Sequence, residues 1–211
     1  MSAPRVRTPR QQRSRDSLER VISAGIDVLA AEGWEGFTIA RLAAAADASV
    51  GLIYGRFHNK DALFEAIHDR FMTEVEAVHA QGFEHSASKQ ATTAQVIRDA
   101  VDALAAGFSY NPAVLRVAML RAAVDPTVHD RGHRAMADLA HRFENALLER
   151  RADFEHPDPE VAVKICFRMV FATLSRRITF GPTLDDEDDP GWDRTVHELG
   201  SACVGLLLHN P

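Results

Sequence analysis

The segment FTIARLAAAADASVGLIYGRFHNKDALF, residues Phe37 to Phe64, decides the fold of this chain. Its 28 residues hold two short helices, a three-residue turn and the start of a third helix, too dense for an ordinary pair of core helices. Thr38 is placed to cap the first helix with its hydroxyl, and Phe37 and Leu42 to close a hydrophobic staple across its first turn. Ile39, Leu42, Ala43 and Ala46 form an apolar stripe in which alanines keep the surface thin enough for a second helix to cross closely. The helix ends at Asp47, a residue that accepts the left-handed backbone of a tight turn less easily than Gly does. Ser49 is the N-cap of the second helix. Ile53 and Phe57 form its buried face, which leaves Val50, Gly51, Leu52, Tyr54, Gly55 and Arg56 pointing outward.

A thin supporting helix followed by a short one with its N-terminal residues outward is the arrangement by which a helix-turn-helix offers a recognition helix to the DNA major groove. The series Thr38, Leu42-Ala43, Ala46, Ser49, Gly51, Tyr54, Phe57, Lys60 and Leu63 resembles, in register from end to end, the DNA-binding signature of the TetR family of transcriptional regulators. Three positions depart from that pattern. Asp47 stands where Gly is usual, Arg41 where an acidic residue is usual in the first turn of the supporting helix, and Leu52 where Thr is usual in the recognition helix. A cation at a helix N-terminus opposes the macrodipole by a few tenths of a kcal/mol to about 1, so Arg41 is either balanced by a DNA phosphate or is a solvated arginine.

The resemblance implies a set of DNA contacts: Thr38, Arg41, Ser49, Val50, Gly51, Leu52, Tyr54, Arg56, His58 and Lys60. Tyr54 and Lys60 match family positions that touch the DNA backbone, and a phenol and a compact cation both suit phosphate. The side chains of Val50, Gly51 and Leu52 donate no hydrogen bonds, so they read at most thymine methyls and shape. Arg56 is left as the chief candidate on this helix for a guanine contact, unless its place near the helix end brings it only to phosphate.

The 211 residues suffice for one large or two small domains, and 46% apolar with 26% charged residues excludes a disordered or membrane chain. No apolar run approaches the roughly 18 residues of a spanning helix, and the arginine-bearing N-terminus has no apolar core of a secretory signal. A cytoplasmic protein without membrane association is expected. Cys166 and Cys203 lie in apolar helical patterns without CxxC spacing, which favours reduced buried thiols over a disulfide or a zinc site. The net charge of −6 is unevenly divided: residues 1–60 carry nine Lys and Arg against six Asp and Glu, the remainder 15 against 24. The basic end is the helix-turn-helix end, and a local positive face is what phosphate binding requires.

Residues 1–15 hold five arginines and no acid, a flexible basic arm that either enters a minor groove or stays a solvated tail. Leu18, Val21, Ile22, Gly25, Ile26 and Leu29 predict an amphipathic helix over 16–32, ended by Gly33 and Gly36, with Trp34 as a packing anchor. Further helices are expected over 60–82, 96–110, 113–124, 127–152, 159–180 and 192–208, with Pro at several starts, a polar loop at 85–93 and an acidic one at 181–191. The reading is all-α with about nine helices: an arm (1–15), a three-helix DNA-binding head (16–60), and a helical ligand-binding and dimerisation domain (61–211). The helix from Pro159 is apolar nearly all round, so it is expected to be buried on every side. The helix to Leu208 has an apolar stripe including Cys203, Leu207 and Leu208. Resemblance to the TetR family implies that these two helices, 159–208, pair with their copies in a homodimer.

Phe71, Phe108, Tyr110, Met119, Met136, Phe143 and Met169, with Phe167 and Phe171, either line a cavity for a small-molecule effector or fill the core. His129 and His133, one helical turn apart, have the spacing of a shared metal, but with no cysteine near, surface histidines are the expected reading. The run 185–189 lacks the glycine and glutamate of a calcium loop. No nucleophile elbow, phosphate loop, zinc-protease helix or dinucleotide fingerprint occurs, so neither an enzyme nor a cofactor is expected. The chain reads as a regulator that binds a palindromic operator as a dimer and is released by a small molecule. The alternatives are a DNA-binding dimer with no ligand or with a metal effector, and, further off, an enzyme.

Overall fold

The computed structural model describes residues 10–86, 91–181 and 189–209. Residues 1–9 of the expected arm, 87–90 of the polar loop and 182–188 of the acidic loop lie outside them. All regular structure among the described residues is helical: α1 (Arg10–Gly36), α2 (Ile39–Ala45), α3 (Val50–Tyr54), α4 (Lys60–Ser86), α5 (Thr93–Tyr110), α6 (Pro112–Ala122), α7 (Pro126–Leu148), α8 (Pro159–Phe180) and α9 (Trp192–Leu208), with a 3-10 turn at Arg151–Asp153. The chain divides into two compact units, Met1–Phe71 and Met72–Pro211, and α4 runs through the boundary.

In the first unit α1 starts at Arg10, six residues before the expected Asp16. Gln and Arg are good helix formers, so the segment before the apolar stripe has no reason to unwind. Gly33 interrupts α1 with φ 65° and ψ −168°, a backbone that glycine adopts without steric cost. The turn brings Trp34 edge-on to Phe64, with ring centroids 5.1 Å apart. Leu29, Phe37, Leu42, Ile53, Leu63, Phe64 and Ile67 are fully enclosed, each contributing about 1.5 to 3 kcal/mol of burial. They hold the two short helices, which could not persist alone at five and seven residues.

In the second unit α5 packs on α7, α8 and α9, and α8 on α6, α7 and α9. Asn111, Asp125 and Asp158 cap α6, α7 and α8 with their side chains, each followed by Pro, where the missing N–H costs nothing. Phe143, Phe167, Phe171 and Phe108 follow one another through the core, centroids 5.8, 5.6 and 5.4 Å apart. Cys166 of α8 and Cys203 of α9 are free, buried thiols that interact, and the neighbouring Cys166 together with burial keeps Cys203 protonated. Arg177 grips Asp189 with two parallel bonds of 2.6 Å, tying the end of α8 to the residues before α9.

Two expectations about α8 and α9 need correction. One face of α8 is open: Val161 and Ile165 are 47% and 46% exposed, and Lys164, Arg168, Ala172 and Arg176 on the same side are exposed too. The basic residues recur every fourth or eighth position and interrupt the apolar circuit. Leu207 is 0% exposed within the single chain, and the Glu155 N–H donates to its carbonyl at 3.0 Å. Leu207 therefore belongs to the core of its own unit and not to a face open to another molecule.

His79 of α4 is buried, its Nε2 3.2 Å from the Leu104 carbonyl of α5. Burial is the main cause that lowers its pKa below the usual 6.5; Arg142 adds to this, and the Leu104 carbonyl and Glu76 oppose it. The unfolded chain therefore binds this proton more readily, so the stability contributed by neutral His79 is complete above about pH 6.5 and is lost as pH falls below it. The urea midpoint is expected to drop between about pH 7.5 and about pH 5.5, and to drop less in His79→Gln. Equal drops in the two proteins would show that other groups carry the acid sensitivity.

Candidate nucleic-acid interface

The caps form as their residues dictate. Thr38 Oγ1 accepts the Arg41 N–H at 3.3 Å and Ser49 Oγ accepts the Leu52 N–H at 3.1 Å. Each hydroxyl keeps its own hydrogen for a further acceptor. Between the helices Asp47 takes φ 48°, and the Ala48 N–H reaches back to the Ala43 carbonyl at 2.9 Å. That is a helix stop with Asp at the position usually given to Gly, at a cost of roughly 1 kcal/mol.

α3 lies with Ile53 fully buried and Phe57, just beyond it, half-buried. Val50 and Tyr54 are 42% and 55% exposed, Gly51, Gly55 and Arg56 are exposed, and Leu52 is half-buried. The helix thus presents an apolar tip, one phenol and one guanidinium. His58 is exposed, and Asn59 caps α4, its Oδ1 accepting the Ala62 N–H at 2.7 Å.

Three cations of the expected contact set have partners that sequence spacing does not show. Arg41 pairs with Glu32 near the end of α1, so a carboxylate of the same unit, rather than solvent alone, balances the cation at the start of α2. Arg56 donates to Ser14 Oγ of α1 at 2.6 Å, which orients its guanidinium beside the first turns of α1. Lys60 donates to the Trp34 carbonyl at 3.0 Å, with Nζ 3.9 Å from the centre of the Trp34 ring. Because the ammonium braces the turn after Gly33, Lys60→Ala is expected to lower head stability by about 1 to 2 kcal/mol, besides weakening DNA binding on all sequences and reducing the salt slope by about 1. An unchanged melting temperature with weakened binding would assign Lys60 to phosphate alone.

The residues considered for a ligand are dispersed. Phe71, Phe108 and Phe143 are buried, Met119, Met136 and Met169 half-buried, and Tyr110 is exposed at the end of α5 with its hydroxyl 3.1 Å from Glu74. A recess of about 260 Å³ opens between α5 and α9, and none of these seven lines it. His129 and His133 stack with ring centroids 6.2 Å apart on an exposed face. Among the described residues no three His, Cys, Asp or Glu side chains converge as a metal cage, and no helix is long and apolar enough to cross a membrane.

Residues 21–67, which hold this interface, match the family described as bacterial regulatory proteins, tetR family. No curated protein matches the chain by sequence. Solved structures match its fold: a TetR-family transcriptional regulator from Mesorhizobium loti at 16% identity and TM-score 0.68, covering 91% of this chain and 95% of that one, and a transcriptional regulator from Rhodococcus sp. Rha1 at 18% and 0.66, covering 92% and 100%. FadR of Bacillus subtilis, solved in complex with stearoyl-CoA, matches at 16% and 0.61 over 90% and 97%. At such identities the likeness is one of fold.

Proposed function

From the match of residues 21–67 to the TetR family of bacterial regulatory proteins and the likeness of the whole fold to TetR-family regulators, we propose that this chain is a cytoplasmic repressor that holds a palindromic operator as a homodimer and lets go when a small molecule binds its second unit. The observation that carries the operator reading is the exposed face of α3, fixed by a fully buried Ile53 behind it. Ser49, Thr38 and Tyr54 supply hydroxyl donors for phosphate, Val50 and Leu52 supply apolar contacts, and Arg56 supplies the base-reading or backbone cation. The open face of α8, with Val161, Ile165 and Ala172, and the exposed Ala202 and Gly205 of α9 support pairing with a second copy.

The effector reading is supported by the similar fold of FadR bound to stearoyl-CoA and by a second unit much larger than the head. α4 is covalently continuous from the head into that unit. A ligand that favours one setting of α4 would change the separation of two recognition helices from the roughly 34 to 36 Å of successive major-groove faces. A screen of apolar and amphipathic metabolites against the operator complex is expected to find a compound that raises the melting temperature and releases DNA. Compounds that stabilise the protein while leaving operator affinity unchanged would favour a dimer that binds DNA without an effector.

A further inference from the structure

The recess between α5 and α9 brings together opposite charges that do not pair with each other. Arg98 and Asp102 stand four residues apart on α5, a spacing at which opposite charges commonly pair. Here they do not: the Arg98 guanidinium turns back to the Ala94 carbonyl of its own helix at 3.4 Å, and among the described residues Asp102 has no hydrogen-bond or ion-pair partner. Burial, then the nearby charge of Asp99, raises the Asp102 pKa, while His197 across the recess lowers it. Trp192, at the start of α9, lines the same recess, half-buried and with no aromatic partner among the described residues. Ala105 and Gly200, which carry little or no side chain, line it as well.

We propose that this recess binds a small zwitterion of the α-amino acid type, its ammonium on Asp102, its carboxylate on Arg98 and its apolar side chain against Trp192. The volume, about 260 Å³, lies just below the roughly 300 to 1,000 Å³ of pockets for drug-sized ligands. The four-residue step from Arg98 to Asp102, roughly 6 Å along the helix axis, suits a ligand whose two charged groups sit on one carbon. A simple amine would leave Arg98 unpaired beside it, and a simple carboxylate would face Asp102 and the exposed Asp193, so only a molecule bearing both charges satisfies both ends. The site lies on α5, which accepts the His79 contact of α4 through Leu104. Ligand binding itself does not depend on the effector reading; its consequence at the operator does.

The test uses the intact chain and three probes: L-phenylalanine, phenethylamine with only the ammonium, and 3-phenylpropanoate with only the carboxylate. Binding is followed by calorimetry and by the Trp192 indole N–H resonance, assigned with Trp192→Phe. L-Phenylalanine is expected to bind saturably and shift that resonance, with each single-charge analogue at least about tenfold weaker. Asp102→Asn, checked for intact folding by circular dichroism, should weaken L-phenylalanine about tenfold and leave 3-phenylpropanoate no weaker. No saturable shift, phenethylamine binding as tightly as the amino acid, or an indifferent Asp102→Asn each overturns the site. Operator release by L-phenylalanine is measured separately: binding with or without release supports the site, and release alone bears on the effector reading.

Discussion

Ile165→Glu is expected to give a folded monomer whose operator affinity is lower by roughly 10²- to 10⁴-fold. Ile165 is nearly half exposed in the single chain, so a glutamate there meets water in the monomer and desolvated apolar surface in a dimer paired through α8. Losing the partner removes the second half-site contact, and linked binding commonly exceeds single-module affinity by that factor. Light scattering reads the oligomer, circular dichroism the fold, and anisotropy on labelled operator the affinity. A full-sized dimer with undiminished affinity would move the pairing surface away from α8. Leu207→Glu is no substitute for this test: it places a charge inside the core of the second unit, and its expected outcome is unfolding.

Gly107→Ala is expected to cost about 1 to 3 kcal/mol, because a Cβ at that position of α5 would land on the buried imidazole of His79. The same substitution in a His79→Ala background should be neutral or stabilising, since Ala exceeds Gly in helix propensity by about 1 kcal/mol once the clash is gone. Urea midpoints of the four proteins measure the coupling. Equal costs in both backgrounds would mean that the glycine answers to the backbone of α5 and not to His79. The pair matters because it is where α4 leans on α5, and α4 is the helix the proposed switch would move.

The residues that made the head legible are those whose chemistry acts locally. Thr38 and Ser49 cap because a hydroxyl three residues ahead of an amide has one strong use, and Asp47 turns because the stop between α2 and α3 needs a left-handed residue. Asp158 followed by Pro159 marks a helix start without reference to anything distant, and so do Asn111 with Pro112 and Asp125 with Pro126. What escaped was tertiary. Glu32 and Arg41 are nine residues apart, Trp34 and Lys60 twenty-six, and Ser14 and Arg56 forty-two, and no periodicity announces such partners. The open face of α8 is hidden because its apolar residues occur nearly all round the helix, and only the fold shows that Lys164, Arg168 and Arg176 share one exposed side with Val161 and Ile165. Arg98 and Asp102 are visible in the sequence as a solvated i, i+4 pair, and only the fold shows that they stand apart beside Trp192.

Selection of bound duplexes from a random DNA pool by the full-length protein is the most direct measurement of the central claim, that α3 of a paired head reads an operator. The expected result is enrichment of one inverted repeat with half-sites about one helical turn or a multiple of it apart, bound with a steep inverse dependence on salt, and with preference at one base pair per half-site relaxed in Arg56→Ala. A pool that stays random after repeated rounds, with every duplex bound equally weakly, would contradict it.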